Sequence, residues 1–283
     1  MSSIAAALAA ARQVIPPAEA RLLLRHALGC TAAWLEAHRD AVLATAPAAR
    51  FAALAARRGQ GEPVAYLIGT REFYGRDFLL TPEVLIPRPE SELLVDLGKT
   101  AVARMAAPHI LDLGTGSGCI AVTLALELPG AAVTAADVSA AALAIARNNA
   151  KRLGAHVRFM QSDWFAELGD ACFDLVVANP PYVVEGDPHL DQGDLRFEPR
   201  LALSCGSDGL AAIRRILAQA HEHLRDGGRL YFEHGYDQAT AVSALLQQGG
   251  YADIEQHRDL AGIVRVSGGR CRQAGCASTA TWA

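Results

Sequence analysis

Two patterns of apolar and polar positions divide the chain near residue 70. Before that point apolar residues recur at helical spacing and are interrupted by prolines. Ile4 to Val14 is an Ala-rich run; Pro16 and Pro17 break it and open a second helix over Ala18 to Leu28, with proline in the favoured first turn. Thr31 is placed to cap a third helix carrying Trp34, Leu35, His38 and Val42. Pro47 opens a fourth, Ala48 to Arg58, which stops at Gly59-Gln60-Gly61-Glu62-Pro63. Next, Glu72 to Leu80 reads as a hairpin turning near Gly75, followed by a Pro-rich connector and a helix starting near Glu90. From about residue 108 short apolar strands alternate with helical stretches. Strands are predicted over 108–113, 131–137, 156–161, 173–178, 228–234 and 251–266, and helices over 119–128, 139–153, 207–226 and 237–249. Strands separated by helices imply an α/β fold with a doubly wound, mostly parallel sheet, whose ligands sit beyond the carboxyl ends of the strands. The expected divisions are a helical bundle over 1–68 for packing or partner docking, a hairpin and linker over 69–98, the α/β domain over 99–270, and a loose tail over 271–283.

Composition changes this picture little. The chain has 283 residues, 51% hydrophobic and 20% charged, with a net charge of −4. A sizeable core is allowed, and broad phosphate binding, which needs a Lys/Arg excess, is disfavoured. No apolar run is long enough for a membrane helix, and the N-terminus has no basic region ahead of an apolar one. Of the six cysteines, Cys30, Cys119, Cys172 and Cys205 read as small hydrophobes, and Cys271 and Cys276 as free tail thiols without partners for a metal site. That usage suggests a reducing cytoplasm.

The candidate chemistry lies at strand ends. Asp112-Leu113-Gly114-Thr115-Gly116-Ser117-Gly118 follows the first parallel strand, and its glycines let a ligand approach the backbone at a helix start. Gly116-Ser117-Gly118-Cys119-Ile120-Ala121 formally matches a dinucleotide fingerprint, so glycine spacing alone leaves a nicotinamide cofactor and S-adenosylmethionine both open. Asp112 disfavours a pyrophosphate and suits a cationic amino group. Asp137 ends the next strand, where an acid can accept from ribose hydroxyls. Asp163 and Trp164 end the third, where they could bracket an adenine.

Asn179-Pro180-Pro181-Tyr182 ends the fourth strand and carries the most information. An asparagine oxygen and a neighbouring carbonyl can each accept one hydrogen of a planar –NH₂ group. The prolines add no competing N–H, and the tyrosine offers an apolar face for stacking. The tetrapeptide points to chemistry on an amide or exocyclic amine nitrogen, for which a hydride-transfer enzyme has no evident need.

Together with Leu85-Ile86-Pro87-Arg88-Pro89-Glu90, Arg196-Phe197-Glu198-Pro199 and Glu233-His234-Gly235, these motifs make residues 63–270 resemble the protein-(glutamine-N5) methyltransferases of class I peptide release factors, the HemK/PrmC family. The resemblance implies a class I S-adenosylmethionine-dependent, Rossmann-like methyltransferase domain behind a small helical bundle. It implies that Gly114, Thr115, Gly116, Ser117 and Gly118 line the methionine end of the cofactor, that Asp137 binds the ribose, and that Asp163 and Trp164 flank the adenine. Asn179 would touch both cofactor and substrate amide; Pro180, Pro181 and Tyr182 would form the glutamine pocket. Phe73, Arg88 and Glu90 would help to close the site. Ser91 stands where family members often carry threonine, so a hydroxyl is kept. The expected product is S-adenosylhomocysteine and the expected partner a class I release factor, with no metal, no membrane, no stable nucleic acid and a monomeric, cytoplasmic enzyme. Rival readings are N5-glutamine methylation of a ribosomal protein, amino methylation of a flipped nucleobase, and a nicotinamide-dependent oxidoreductase. His234 is read as structural, because nothing in the sequence places it as a base.

Overall fold

The computed structural model describes residues 3–272 and residue 276. The chain forms two compact units, one of Met1–Thr70 with Asp191–Phe197 and one of the remaining described residues. The first is helical: α1 (Ile4–Ala11), α2 (Pro17–Leu28), α3 (Ala32–Ala37), α4 (Thr45–Gly59) and α5 (Val64–Ile68). Ser3 and Thr31 cap α1 and α3 by accepting from the amides of Ala6 and Trp34, each at 3.2 Å. Ile4, Leu8, Leu23, Leu24, Phe51 and Leu54 fill its core. Helix α3 ends at Ala37, so His38 and Val42 lie beyond it; the His38 ring stacks on Trp34 at 4.2 Å. The five-residue α5, between Pro63 and Gly69, is too short to show a period and was not predicted. Asp191–Phe197, expected within the α/β domain, belongs to this helical unit. Arg58 on α4 holds it, pairing with Asp194 at 2.9 Å and with Glu19 on α2 at 2.6 Å.

The second unit opens with the hairpin β1 (Thr70–Phe73) and β2 (Arg76–Leu79). A 3-10 turn, Pro89–Ser91, leads into α6 (Glu92–Ala101). The sheet and its helices follow as β3 (His109–Leu113), α7 (Cys119–Glu127), β4 (Ala132–Asp137), α8 (Ala140–Leu153), β5 (Val157–Gln161), β6 (Phe173–Ala178), α9 (Ala211–His223), β7 (Leu224–Glu233), α10 (Ala239–Gln248), β8 (Ala252–Arg258) and β9 (Val264–Arg270). Seven strands pair in the order β5-β4-β3-β6-β7-β9-β8, and β9 alone runs opposite to the other six. Parallel strands buried on both faces read as continuous apolar runs, which is why 108–113 and 173–178 were visible. One face packs Ile213, Ile216, Val242 and Leu246 from α9 and α10; the other packs Leu94, Val95, Ile120 and Leu124 from α6 and α7. The chain leaves β3 toward β4 and β5, then returns to β6 on the other side. The switch point therefore lies between the carboxyl ends of β3 and β6.

Three expectations are corrected. The single strand over 251–266 is two, β8 and β9, joined by a turn in which Asp259 accepts from the amides of Ala261 and Ile263, each at 2.9 Å. Cys271 is not in a loose tail: it is fully buried and donates its amide to the Gly228 carbonyl at 2.8 Å. Cys276 is not free but joined to Cys172 in a disulfide, with Cα atoms 6.0 Å apart. The rest of the predicted tail, 273–275 and 277–283, lies outside the described residues. No helix among the described residues is long and apolar enough to cross a membrane.

Candidate active site

A cavity of about 550 Å³ opens at the switch point. Its wall is built from the ends of four parallel strands in turn: Gly114 and Gly116 after β3, Asp137 at the end of β4, Asp163 and Trp164 after β5, Asn179 and Pro181 after β6. Two loops complete it, through Val84 and Leu85 on one side and Pro199 and Leu201 on the other.

The glycine loop is tied to β4. Gly114 and Thr115 donate to the Ala136 carbonyl at 2.9 and 3.0 Å, and Gly116 donates to Asp137 Oδ2 at 2.8 Å. Gly116 has φ +55, and a Cβ there would meet only open space, so the loop presents bare backbone to the cavity. Asp137 Oδ1 accepts from the Ser139 amide at 2.9 Å, and burial raises its pKa. Asp112 lies beneath the loop, 1% exposed, with Oδ2 accepting from Thr115 Oγ1 at 2.6 Å and the Ala121 amide at 3.2 Å. Its Oδ1 is buried and has no hydrogen-bond partner among the described residues. Burial pushes the Asp112 carboxyl up to about 7, against the pull of Thr115 and Ala121. Asp137 occupies the Gly116 amide in the loop and Asp112 the Ala121 amide at the start of α7, backbone donors that a pyrophosphate would need.

Trp164 adopts φ +56, a left-handed conformation costly for a bulky side chain. Ser162 holds the turn by donating to the Trp164 carbonyl at 2.8 Å and accepting from the Glu167 amide at 3.0 Å. The strained backbone turns the indole over Gly114. Asp163 is half-exposed and paired with Arg215 at 2.7 Å.

Beyond β6, Asn179 Nδ2 donates to Ser91 Oγ at 2.9 Å, and its Oδ1 accepts from no described residue. Pro180 is buried. Tyr182 donates its hydroxyl to Glu233 at 3.1 Å, and burial together with that carboxylate raises the phenol's pKa.

Two family models match this chain: "PrmC N-terminal domain" over residues 1–69 and "Methyltransferase small domain" over residues 90–193. The release factor glutamine methyltransferase of Burkholderia pseudomallei is 54% identical over 259 residues, covering 89% of this chain and 91% of that protein. That of Bordetella pertussis is 54% identical over 256 residues, 90% of this chain and 95% of that protein. The chain belongs to the release factor glutamine methyltransferase family. A methyltransferase crystal structure from Pyrococcus furiosus, 20% identical over 77% of this chain and 97% of that one, shares the fold with a TM-score of 0.52.

In this family member the cavity wall gathers seven of the residues singled out in the sequence: Gly114, Gly116, Asp137, Asp163, Trp164, Asn179 and Pro181. Others lie off the wall. Asp112 does not face the cavity and can act on a ligand only through its field. Thr115 and Ser117 are buried, and Gly118 packs on Ala146 of α8. Phe73 is 1% exposed, edge-on to Phe78 in the core. Arg88 pairs at 2.5 Å with Glu198, a carboxylate that also accepts from the Ile86 amide at 3.0 Å. That pair fastens the segment before Pro87 to the segment before Pro199, both of which lead to the cavity wall. Glu90 is half-buried; burial raises the pKa of Glu233, and the Glu90 charge adds a smaller push in the same direction. His234 is enclosed, Nδ1 donating to the Gly235 carbonyl at 2.9 Å and Nε2 accepting from Ser267 at 2.8 Å. Burial lowers its pKa.

Asp112 yields a stability prediction. Between about pH 4 and pH 7 the unfolded chain loses this proton while the native state keeps it. Stability therefore falls as pH rises through that window, by up to ~1.4 kcal/mol per unit from this group. Asp112→Asn removes the slope and keeps an acceptor for Thr115. Urea midpoints at pH 5 and pH 8 should show the wild type losing more stability than the variant; equal losses contradict the assignment.

Proposed function

We propose that this protein transfers a methyl group from S-adenosylmethionine to the side-chain amide nitrogen (N5) of the glutamine in the Gly-Gly-Gln loop of class I peptide release factors. The observation that carries this reading is the asparagine at the end of β6. It stands in the cavity wall with its amine tied back to Ser91 and its oxygen uncommitted. Family membership supplies the substrate class.

The cavity fits the methyl donor. Asp137 on the cavity wall favours a cationic ligand over a pyrophosphate, and the bare loop at Gly116 admits close approach. Gly114 and Gly116 would hold its methionine end, Asp137 its ribose and Trp164 its adenine. Bound there, S-adenosylmethionine supplies an electrophilic methyl group on a sulfonium. The chain's own task is to prepare the acceptor. A carboxamide nitrogen is a poor nucleophile because its lone pair is delocalised into the carbonyl. Asn179 Oδ1 and the Pro180 carbonyl would each accept one N–H of the substrate amide. That grip raises electron density on nitrogen and aims its lone pair. The same oxygens stabilise the positive charge that builds there during transfer. The proton becomes acidic as the new bond forms, so no strong base is required. We propose the helical unit as the docking module for the protein substrate.

The test is mass spectrometry of a release factor incubated with enzyme and labelled donor. A ribosomal protein and an RNA are offered in parallel. One methyl on the Gly-Gly-Gln glutamine is expected. Labelling confined to the RNA or the ribosomal protein would overturn the reading.

A further inference from the structure

We infer that Ser91 and Glu233 are positioning residues whose shared hydrogen bond decides which way the Asn179 carboxamide faces. The inference rests on the reading of Asn179 as the amide-holding residue and extends it to side chains that never meet the substrate.

The number of protons available at Ser91 fixes the orientation. Glu233, at the end of β7, is 1% exposed. Its Oε2 accepts from Ser91 Oγ at 2.6 Å and its Oε1 from the Tyr182 hydroxyl at 3.1 Å. A serine hydroxyl has a single proton. With Glu233 ionised and that proton given to it, Ser91 Oγ can only accept from Asn179, 2.9 Å away. The Asn179 atom facing Ser91 must then be the amine, and the carbonyl oxygen must face the other way. This matters because the two ends of a carboxamide have nearly the same shape, and only hydrogen bonds tell them apart. Flipped by half a turn, Asn179 would present N–H groups to the N–H groups of a glutamine amide. The grip that activates the nitrogen would become donor against donor. Ser91 is 2% exposed, so water does not compete for its hydroxyl. The Tyr182 bond occupies the other carboxylate oxygen and holds Glu233 in place.

The residues come from distant parts of the chain: Ser91 from the turn before α6, Asn179 and Tyr182 from the loop after β6, and Glu233 from β7. Each is a positioning group for the next, and only Asn179 lies on the cavity wall.

Ser91→Ala, Ser91→Thr, Glu233→Gln and the Ser91→Ala/Glu233→Gln double variant test the inference with release factor and labelled donor. Ser91→Ala should lower kcat roughly tenfold, the scale of one buried hydrogen bond, with the donor KM unchanged. Ser91→Thr restores the hydroxyl and should restore kcat. Glu233→Gln can turn its own amine toward Ser91, which frees the serine proton for the Asn179 oxygen and permits the flip; kcat should fall similarly. Because both changes act through one chain of bonds, the double variant should be no worse than the poorer single one. Multiplying losses, or wild-type kcat in Ser91→Ala, would overturn the inference.

A second readout needs neither turnover nor substitution. In the wild-type protein the Asn179 side-chain amine should show a nuclear Overhauser contact to the Ser91 β-protons and slow hydrogen exchange. Fast exchange without that contact also overturns the inference. Wild type failing to methylate glutamine would sink the proposed function instead, while leaving this second measurement intact.

Discussion

Asn179→Ala should lower kcat for release-factor methylation by at least ~10²-fold, the loss typical when one preorganised polar group is removed from a site of developing charge. The substitution removes the proposed acceptor for the reacting nitrogen, at the point where positive charge would build. It also leaves the Ser91 hydroxyl with one partner fewer. The loss should fall mainly on kcat, because the substitution leaves Gly114, Gly116, Asp137 and Trp164, the residues proposed to hold the donor, in the cavity wall. Single-turnover measurements with saturating donor and release factor would check this. Turnover within a few-fold of wild type would remove the central support for amide activation. Thermal melting of the variant guards against a trivial loss of fold. Asn179 is half-buried at the end of a strand rather than in the core, so a large change in stability is not expected.

Gly209→Ala should destabilise the larger unit by ~2–4 kcal/mol, the range of severe single substitutions. Gly209 adopts φ +69, which costs a residue with a Cβ ~1–2 kcal/mol on its own. The added carbon would also overlap the Tyr182 carbonyl oxygen, which accepts from Gln238 Nε2 at 3.0 Å. Relieving that overlap requires the Gly209 segment or the Tyr182 end of the Asn-Pro-Pro-Tyr turn to shift. Urea denaturation should therefore show the loss, and activity of the folded fraction should fall with it. A variant within ~0.5 kcal/mol of wild type would mean that the turn tolerates displacement more easily than its packing suggests.

What could be read in the sequence follows a physical rule. The strands leading to the cavity were legible because buried parallel strands are unbroken apolar runs. The residues ending them were legible because a parallel sheet delivers its strand ends to one edge. Asn179 announced itself through its prolines, and Gly116 through its neighbours in the loop. Contacts that join distant segments left no such mark. Ser91 and Glu233 stand 142 residues apart, Arg88 and Glu198 110 apart, and Cys172 and Cys276 104 apart. Each is ordinary in its local context, and only the folded chain brings it to its partner. Gly209 was missed for the same reason, since the atom that forbids a side chain there belongs to Tyr182. The assignment of Asp191–Phe197 to the helical unit depends on Arg58, which is one arginine among many until Asp194 and Glu19 are found beside it. Resemblance narrowed the roles of the matching residues, but it did not supply their contacts: Arg88 and Phe73 lie off the cavity wall.

The strand order has a consequence for synthesis. β9, residues 264–270, is the latest-made strand of the sheet, yet it sits between β7 and β8. Until it emerges from the ribosome, β7 has an open edge, the kind of exposed ladder that invites wrong pairing. Glu233 faces Val266 across that junction. A nascent chain that has already built the glycine loop must therefore wait until residues 264–270 are made before the strand carrying Glu233 is paired on both sides, and chains stalled short of residue 264 would be prone to aggregate.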